Sequence, residues 1–136
     1  MVTAVDTSVL LDVLLNDPRH AAASIKALRR AAVEGPLILC EIVIAEVAPT
    51  LAPADMPQFL SDWNLTFVPS SQSSATLAGE MFRSYLQRGG KRGRIVPDFL
   101  LAAHAQTHAQ RLLARDRGYY RDYFTQLKLW DPTAGS

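Results

Sequence analysis

The sequence predicts a three-layer α/β domain: a central, mostly parallel sheet of four to five strands with helices on both faces. Three observations lead there. Short apolar runs of strand length recur at Val2–Val5, Leu37–Cys40, Leu65–Val68 and Leu112–Ala114, and Leu127–Trp130 adds an edge strand. Stretches of helical period separate the runs, the alternation from which parallel sheets are assembled. Two of the runs lead into a carboxylate, Asp6 and Asp116, at the sheet rim where open α/β folds gather their ligands.

Composition bounds the reading. With 136 residues, 49% of them hydrophobic, the chain is expected to form one domain over 1–136 and to bury a sizeable core. Its 14 Lys and Arg against 13 Asp and Glu give a formal charge of +1. Net charge therefore does not announce a nucleic-acid partner, and any such surface must come from segregated charge. The single cysteine, Cys40, excludes an internal disulfide framework and suits a reducing compartment. No secretory leader pattern opens the chain and no apolar run reaches bilayer length. A soluble cytoplasmic protein without a membrane partner is expected.

Taken in order, Val2–Val5 is the first strand, and Asp6, Thr7 or Ser8 can cap the helix formed by Val9–Leu15. Asp12 is expected on that helix's surface, off the face of Asp6. Asn16-Asp17-Pro18 breaks it. Ala21, Ala22, Ile25, Leu28 and Ala32 then recur at helical spacing, with Lys26, Arg29 and Arg30 on other faces, and Gly35-Pro36 ends this second helix. After the strand Leu37–Cys40, in which Cys40 reads as a small buried hydrophobe, a helix starts near Glu41, where the dipole favours an anion. Glu46 within it lies among apolar residues, where a charge needs partners or a metal.

Phe59, Leu60 and Trp63 mark a short helix against the sheet edge. Pro69 to Ser74 closes the third strand and caps an amphipathic helix through Ala75, Leu77, Ala78, Met81, Phe82, Tyr85 and Leu86. Pro97 and Asp98 suit the first turn of the next helix, whose small face Ala102-Ala103-Ala105 permits close packing. His104 and His108, four residues apart, lack the metalloprotease glutamate and a third ligand, and read as helix-surface residues. Tyr119, Tyr120, Tyr123 and Phe124 are expected in core packing.

Chemistry enters where the acids converge. Asp6, Asp98 and Asp116 lie at strand–helix junctions, and Glu46 lies about one turn into the helix after the second strand. With right-handed crossovers these junctions share one rim. Carboxylates gathered there cannot all stay ionised without a cation, and an all-oxygen donor set suits Mg²⁺, with Mn²⁺ as a substitute. The concentrated basic stretch from Arg88 through Lys91 and Arg92 to Arg94 is a glycine-rich loop. With Arg115 and Arg117 beside Asp116, it is a candidate surface for a phosphate backbone.

Val5-Asp6-Thr7-Ser8, Ile44-Ala45-Glu46-Val47, Ile95-Val96-Pro97-Asp98 with Leu101-Ala102-Ala103, and Leu112-Leu113-Ala114-Arg115-Asp116-Arg117-Gly118-Tyr119, in that order, resemble the PIN domain. Order, spacing and length look like the VapC toxins of prokaryotic toxin–antitoxin pairs, from near residue 1 to about Trp130. The resemblance implies a three-layer PIN-like fold and a metal site of Asp6, Glu46, Asp98 and Asp116, with Thr7 or Ser8 able to supply a hydroxyl nearby. It implies a Mg²⁺-dependent endoribonuclease that hydrolyses RNA through metal-activated water, leaving a 3′-hydroxyl and a 5′-phosphate. It further implies a homodimer and a cognate VapB-type antitoxin. One position departs: the family often carries Thr or Ser where this chain has Ala114.

Two other readings fit an α/β domain with acids at its rim. A signalling receiver domain would need a phospho-accepting Asp after the third strand and a Lys after the fifth. Here the third strand ends Val68-Pro69-Ser70, and Lys128 precedes the last strand. A degenerate PIN domain, binding RNA or a partner without cleavage, is the alternative that Ala114 keeps open.

Overall fold

In the computed structural model, which describes residues 1–91, 93, 96–115 and 118–134, five parallel strands form one sheet in the order β3-β2-β1-β4-β5. The strands are β1 Thr3–Val5, β2 Leu37–Leu39, β3 Leu65–Phe67, β4 Arg111–Leu113 and β5 Leu129–Trp130. All residues of β1, β2 and β4 are buried. Successive side chains of a strand face opposite ways, so both faces of the central sheet must be covered. The three-layer expectation holds.

Helices supply the cover: α1 Thr7–Leu14, α2 Ala21–Glu34, α3 Glu41–Val47, α4 Met56–Asp62, α5 Gln72–Gln87, α6 Pro97–His108 and α7 Gly118–Tyr123. Their boundaries follow local chemistry. Ser71 caps α5 through a reciprocal pair with Ser74, and Pro97 occupies the first turn of α6, where its missing N–H is not needed. α6 buries Phe99, Leu101, Ala102, Ala103 and Ala105, so it runs through the core rather than over it. No helix among the described residues is long and apolar enough to cross a membrane.

The sheet order fixes where a site can lie. Chain progression from β1 goes outward to β2 and β3, then returns to the other side of β1 at β4. That reversal between β1 and β4 is the topological switch point, outside whose carboxyl ends a crevice forms. The Asp6 N–H donates to Leu113 O at 2.9 Å, continuing the β1–β4 ladder to the rim itself.

Two expectations are corrected here. Asp12 is not a surface residue: it is 2% exposed. Nor does His104 lie on a helix surface. It is buried, and its Nε2 meets the Val68 carbonyl oxygen at 2.7 Å. Both sit in helices that are apolar on more than one side, so the period that places other residues outside does not apply to them. His108, four residues on, is half-buried, with its Nε2 3.1 Å from the Ser71 hydroxyl.

Candidate active site

Asp6 is the N-cap of α1. Its Oδ2 accepts from the Ser8 N–H at 3.0 Å and from the Ser8 hydroxyl, which is a capping interaction. Capping and site membership are therefore not alternatives for Asp6. Its Oδ1 turns the other way and accepts from the Tyr120 hydroxyl at 2.7 Å. Burial, the largest influence, holds the Asp6 carboxyl above the ordinary aspartate range; the Ser8 and Tyr120 hydrogen bonds oppose it, and the Glu46 charge adds to it.

Asp98 enters from the first turn of α6. Its neighbour Phe99 is fully buried and packs against Tyr119 with ring centroids 5.2 Å apart, and against Tyr123 at 5.4 Å. That aromatic cluster fixes the start of α6 relative to α7. The Tyr120 hydroxyl lies 3.4 Å from Asp98 Oδ1, so one phenol faces an oxygen of each of two acids separated by 92 positions (98 − 6) in the chain. Desolvation, reinforced by the Asp6 and Asp98 charges, pushes the Tyr120 hydroxyl far above its usual titration range. It remains a donor.

Glu46 comes from the last turn of α3, where the helix dipole disfavours an anion. The residue is exposed, and its Oε1 accepts from the Thr7 hydroxyl at 2.7 Å. Thr7 and Ser8, either of which was expected to offer a hydroxyl near a metal, each hold one of the acids. Ser8 does more: its hydroxyl oxygen also accepts the Arg115 N–H at 3.1 Å, joining the end of β1 to the turn after β4.

Of the acids singled out from sequence, Asp6 and Asp98 meet at Tyr120, and Glu46 approaches through Thr7. Asp116 lies outside the described residues, as do Arg92, Arg94 and Arg117. Among the described residues no three metal-capable side chains form a closed ligand group. The donor chemistry nonetheless fits a hard divalent cation: the oxygens are all carboxylate or hydroxyl, and a buried Asp6 charge is one that a cation would stabilise.

The basic rim is less free than the sequence suggests. The Arg88 guanidinium lies 4.7 Å from the centroid of Tyr123 and reaches the Asp122 carbonyl oxygen at 3.4 Å. Lys91 is exposed. Arg115 forks onto Asp12, with Nε–Oδ2 3.0 Å and Nη2–Oδ1 3.1 Å. Ala114 is fully buried, and its N–H bonds the Trp130 carbonyl oxygen at 3.0 Å. Cys40 is buried too, and desolvation pushes its thiol up, away from thiolate chemistry.

Sequence reasoning missed Tyr120, which it assigned to packing alone, and the Asp12–Arg115 pair. The signal for Asp12 was present: a carboxylate inside so apolar a helix calls for a cation. Nothing local tells which of Tyr119, Tyr120 and Tyr123 turns its hydroxyl to the acids.

Comparisons with known proteins bear on the fold. A family model described as the PIN domain matches residues 3–124. Among solved structures, the chain is similar to one in VapBC2 from Rickettsia felis bound to a DNA fragment from their promoter, with 20% identity and a TM-score of 0.73 over 96% of this chain and 98% of that one. It is similar to a chain of FitAcB from Neisseria gonorrhoeae, with 21% identity and a TM-score of 0.70 over 98% and 99%. A chain of VapBC-1 from nontypeable Haemophilus influenzae gives 17% identity and a TM-score of 0.71 over 98% and 99%. Curated proteins yield no match.

Proposed function

The chain belongs to the PIN-domain family, and from that premise we propose that it is a Mg²⁺- or Mn²⁺-dependent endoribonuclease, the toxin of a VapBC-type toxin–antitoxin pair. The observation that carries the reading is the meeting of Asp6 and Asp98 at one buried tyrosine hydroxyl, at the rim of the β1–β4 switch point. Capping α1 accounts for Asp6, but not for a second carboxylate brought from a distant segment to the same hydroxyl, where like charges oppose one another unless a cation joins them.

In this reading Asp6, Asp98 and Glu46 hold the ion, with Asp116 as the fourth acid. A bound divalent ion supplies Lewis acidity toward a phosphodiester and lowers the pKa of water. The protein's own part is to orient and to exclude. Ser8 fixes Asp6 from one side and Tyr120 from the other; Thr7 orients Glu46. The packed aromatic rings of Phe99, Tyr119 and Tyr123 keep the acids from splaying under their mutual repulsion.

An acidic pocket repels RNA, so cations must engage the backbone at its edge. Arg88 and Lys91, with Arg92, Arg94 and Arg117, are the proposed contacts. Arg115, committed to Asp12, serves that role less directly. A homodimer and a cytoplasmic, prokaryotic setting complete the proposal, together with a cognate VapB-type antitoxin, which the VapBC and FitAB assemblies containing similar folds support.

Cleavage of cellular RNA with Mg²⁺ or Mn²⁺ tests the reading. Asp6→Asn and Asp98→Asn are expected to lose at least roughly 100-fold in rate, on the scale set by removing a metal's ligand or its immediate partner. Cleavage by either variant at the wild-type rate would overturn the site.

A further inference from the structure

The hydrogen bonds of Asp6 specify more than its location. A carboxylate offers about four lone-pair positions, two on each oxygen. Oδ2 accepts both the N–H and the hydroxyl of Ser8, which fills it. Oδ1 accepts the Tyr120 hydroxyl and, among the described residues, keeps a position open. The Ser8 hydroxyl cannot swing away without also releasing the Arg115 N–H, which it accepts.

Tyr120 is held as firmly. It is 3% exposed, and the adjacent Tyr119 ring packs on Phe99 and, edge-on, on Tyr85 with centroids 5.6 Å apart. Phe99 follows Asp98 directly. Ring packing thus sets the distance between the Tyr120 hydroxyl and the first turn of α6. A residue needed only to fill this space could be phenylalanine. The hydroxyl instead faces Oδ1 of Asp6 and Oδ1 of Asp98.

We propose that Tyr120 is a positioning residue of the metal centre: its hydroxyl orients Asp6 so that Oδ1, and not the Ser8-bound Oδ2, is turned toward Oδ1 of Asp98 and would be the oxygen available to a divalent cation. The proposal rests on reading these acids as a metal centre, and its test separates the two. Tyr120→Phe keeps the ring and removes only the hydroxyl. Mn²⁺ binding to the full chain, without RNA, is measured by calorimetry for wild type, Tyr120→Phe and Asp6→Asn, with a thermal melt in chelator for each.

The expected result is a Mn²⁺ affinity for Tyr120→Phe reduced roughly tenfold or more, the scale of losing a partner that orients a ligand, with a melting temperature close to wild type. In RNA cleavage the same variant should need more Mn²⁺ for half-maximal rate and regain much of its rate at saturation. Wild-type affinity in Tyr120→Phe, with affinity lost in Asp6→Asn, overturns the role of Tyr120 and leaves the metal centre standing. A wild type that binds no Mn²⁺, or an Asp6→Asn that binds it equally, overturns both. A Tyr120→Phe chain that fails to fold also overturns the proposal, because the hydroxyl would then serve the fold rather than the ligand.

Discussion

Replacing Asp12 by alanine probes the polar connection behind the acids. Asp12 is 2% exposed; its Oδ2 accepts the Ser24 hydroxyl at 2.8 Å, and its two oxygens take the Arg115 fork. Asp12→Ala leaves the Ser24 hydroxyl, which is fully buried, without that acceptor, at a cost of about 1–3 kcal/mol. Breaking a fully buried ion pair costs about 3–5 kcal/mol. The Arg115 side chain, however, is 32% exposed and can turn to water, so its share falls to about 1 kcal/mol. The total, about 2–4 kcal/mol, corresponds to a melting temperature lower by roughly 6–15 °C in a domain of this size. Urea denaturation gives the free energy directly, and Asp12→Asn, which keeps the volume and one acceptor, should lose less than half as much. A wild-type midpoint and slope for Asp12→Ala, within about 0.5 kcal/mol as at exposed positions, would refute the account.

Other perturbations test separate parts of the structure. Burial holds the His104 imidazole below its ordinary range, so its contribution to stability is present above the unfolded value of about 6.5 and declines as pH falls below it; His104→Gln should flatten that acid-side decline in a melting series from neutral pH downward. The Asp6 carboxyl is shifted the opposite way. The metal-free fold is therefore favoured while Asp6 is protonated and loses that contribution as pH rises through its folded titration. In chelator, Asp6→Asn should melt at or above wild type near neutral pH, whereas saturating Mg²⁺ should raise the melting temperature of wild type alone; a Mg²⁺ shift of equal size in both would contradict the assignment. Gly35 has φ +157°, and a Cβ there would stand 2.2 Å from the Met1 carbonyl oxygen. Gly35→Ala should cost about 2 kcal/mol or more in chemical denaturation, and an unchanged midpoint would show that the chain start readily moves aside.

What the sequence makes legible is what local chemistry controls. The apolar runs locate the carboxyl ends of all five strands to within one residue, because alternation with helices and the turn residues between them fix a parallel sheet. β3 shows the limit of local patterning: Leu65 is buried, while Thr66 and Phe67 are exposed, as befits an edge. Asp6 is readable as a rim residue because it follows a strand end; Asp98 does not lie at the strand–helix junction expected of it, since α6 follows α5, and it reaches the same rim because α6 must run back to the start of β4. Tyr120, His104 and Asp12 are not readable in the same way. Each owes its role to contacts across many residues, Tyr120 to Asp6, His104 to Val68 and Asp12 to Arg115, and such pairings depend on how layers pack rather than on period. Arg111 belongs with them: a cation on a central strand is improbable until Thr3, Glu34 and the ring of Trp130 are placed around it.

The position of β1 also has a consequence for the order of synthesis. β1 sits in the middle of the sheet, yet its partner on one side, paired Thr3 with Arg111, is made 108 residues later (111 − 3). Until then β1 has β2 on one flank and an open edge on the other, and Asp6 has neither Tyr120 nor the turn after β4 to meet it. A nascent chain, or one cut short anywhere before β4, therefore carries the first acid without an assembled centre. On the function proposed above, no complete acid site exists during translation until β4 and α7 have been made, and the sheet order itself sets that delay.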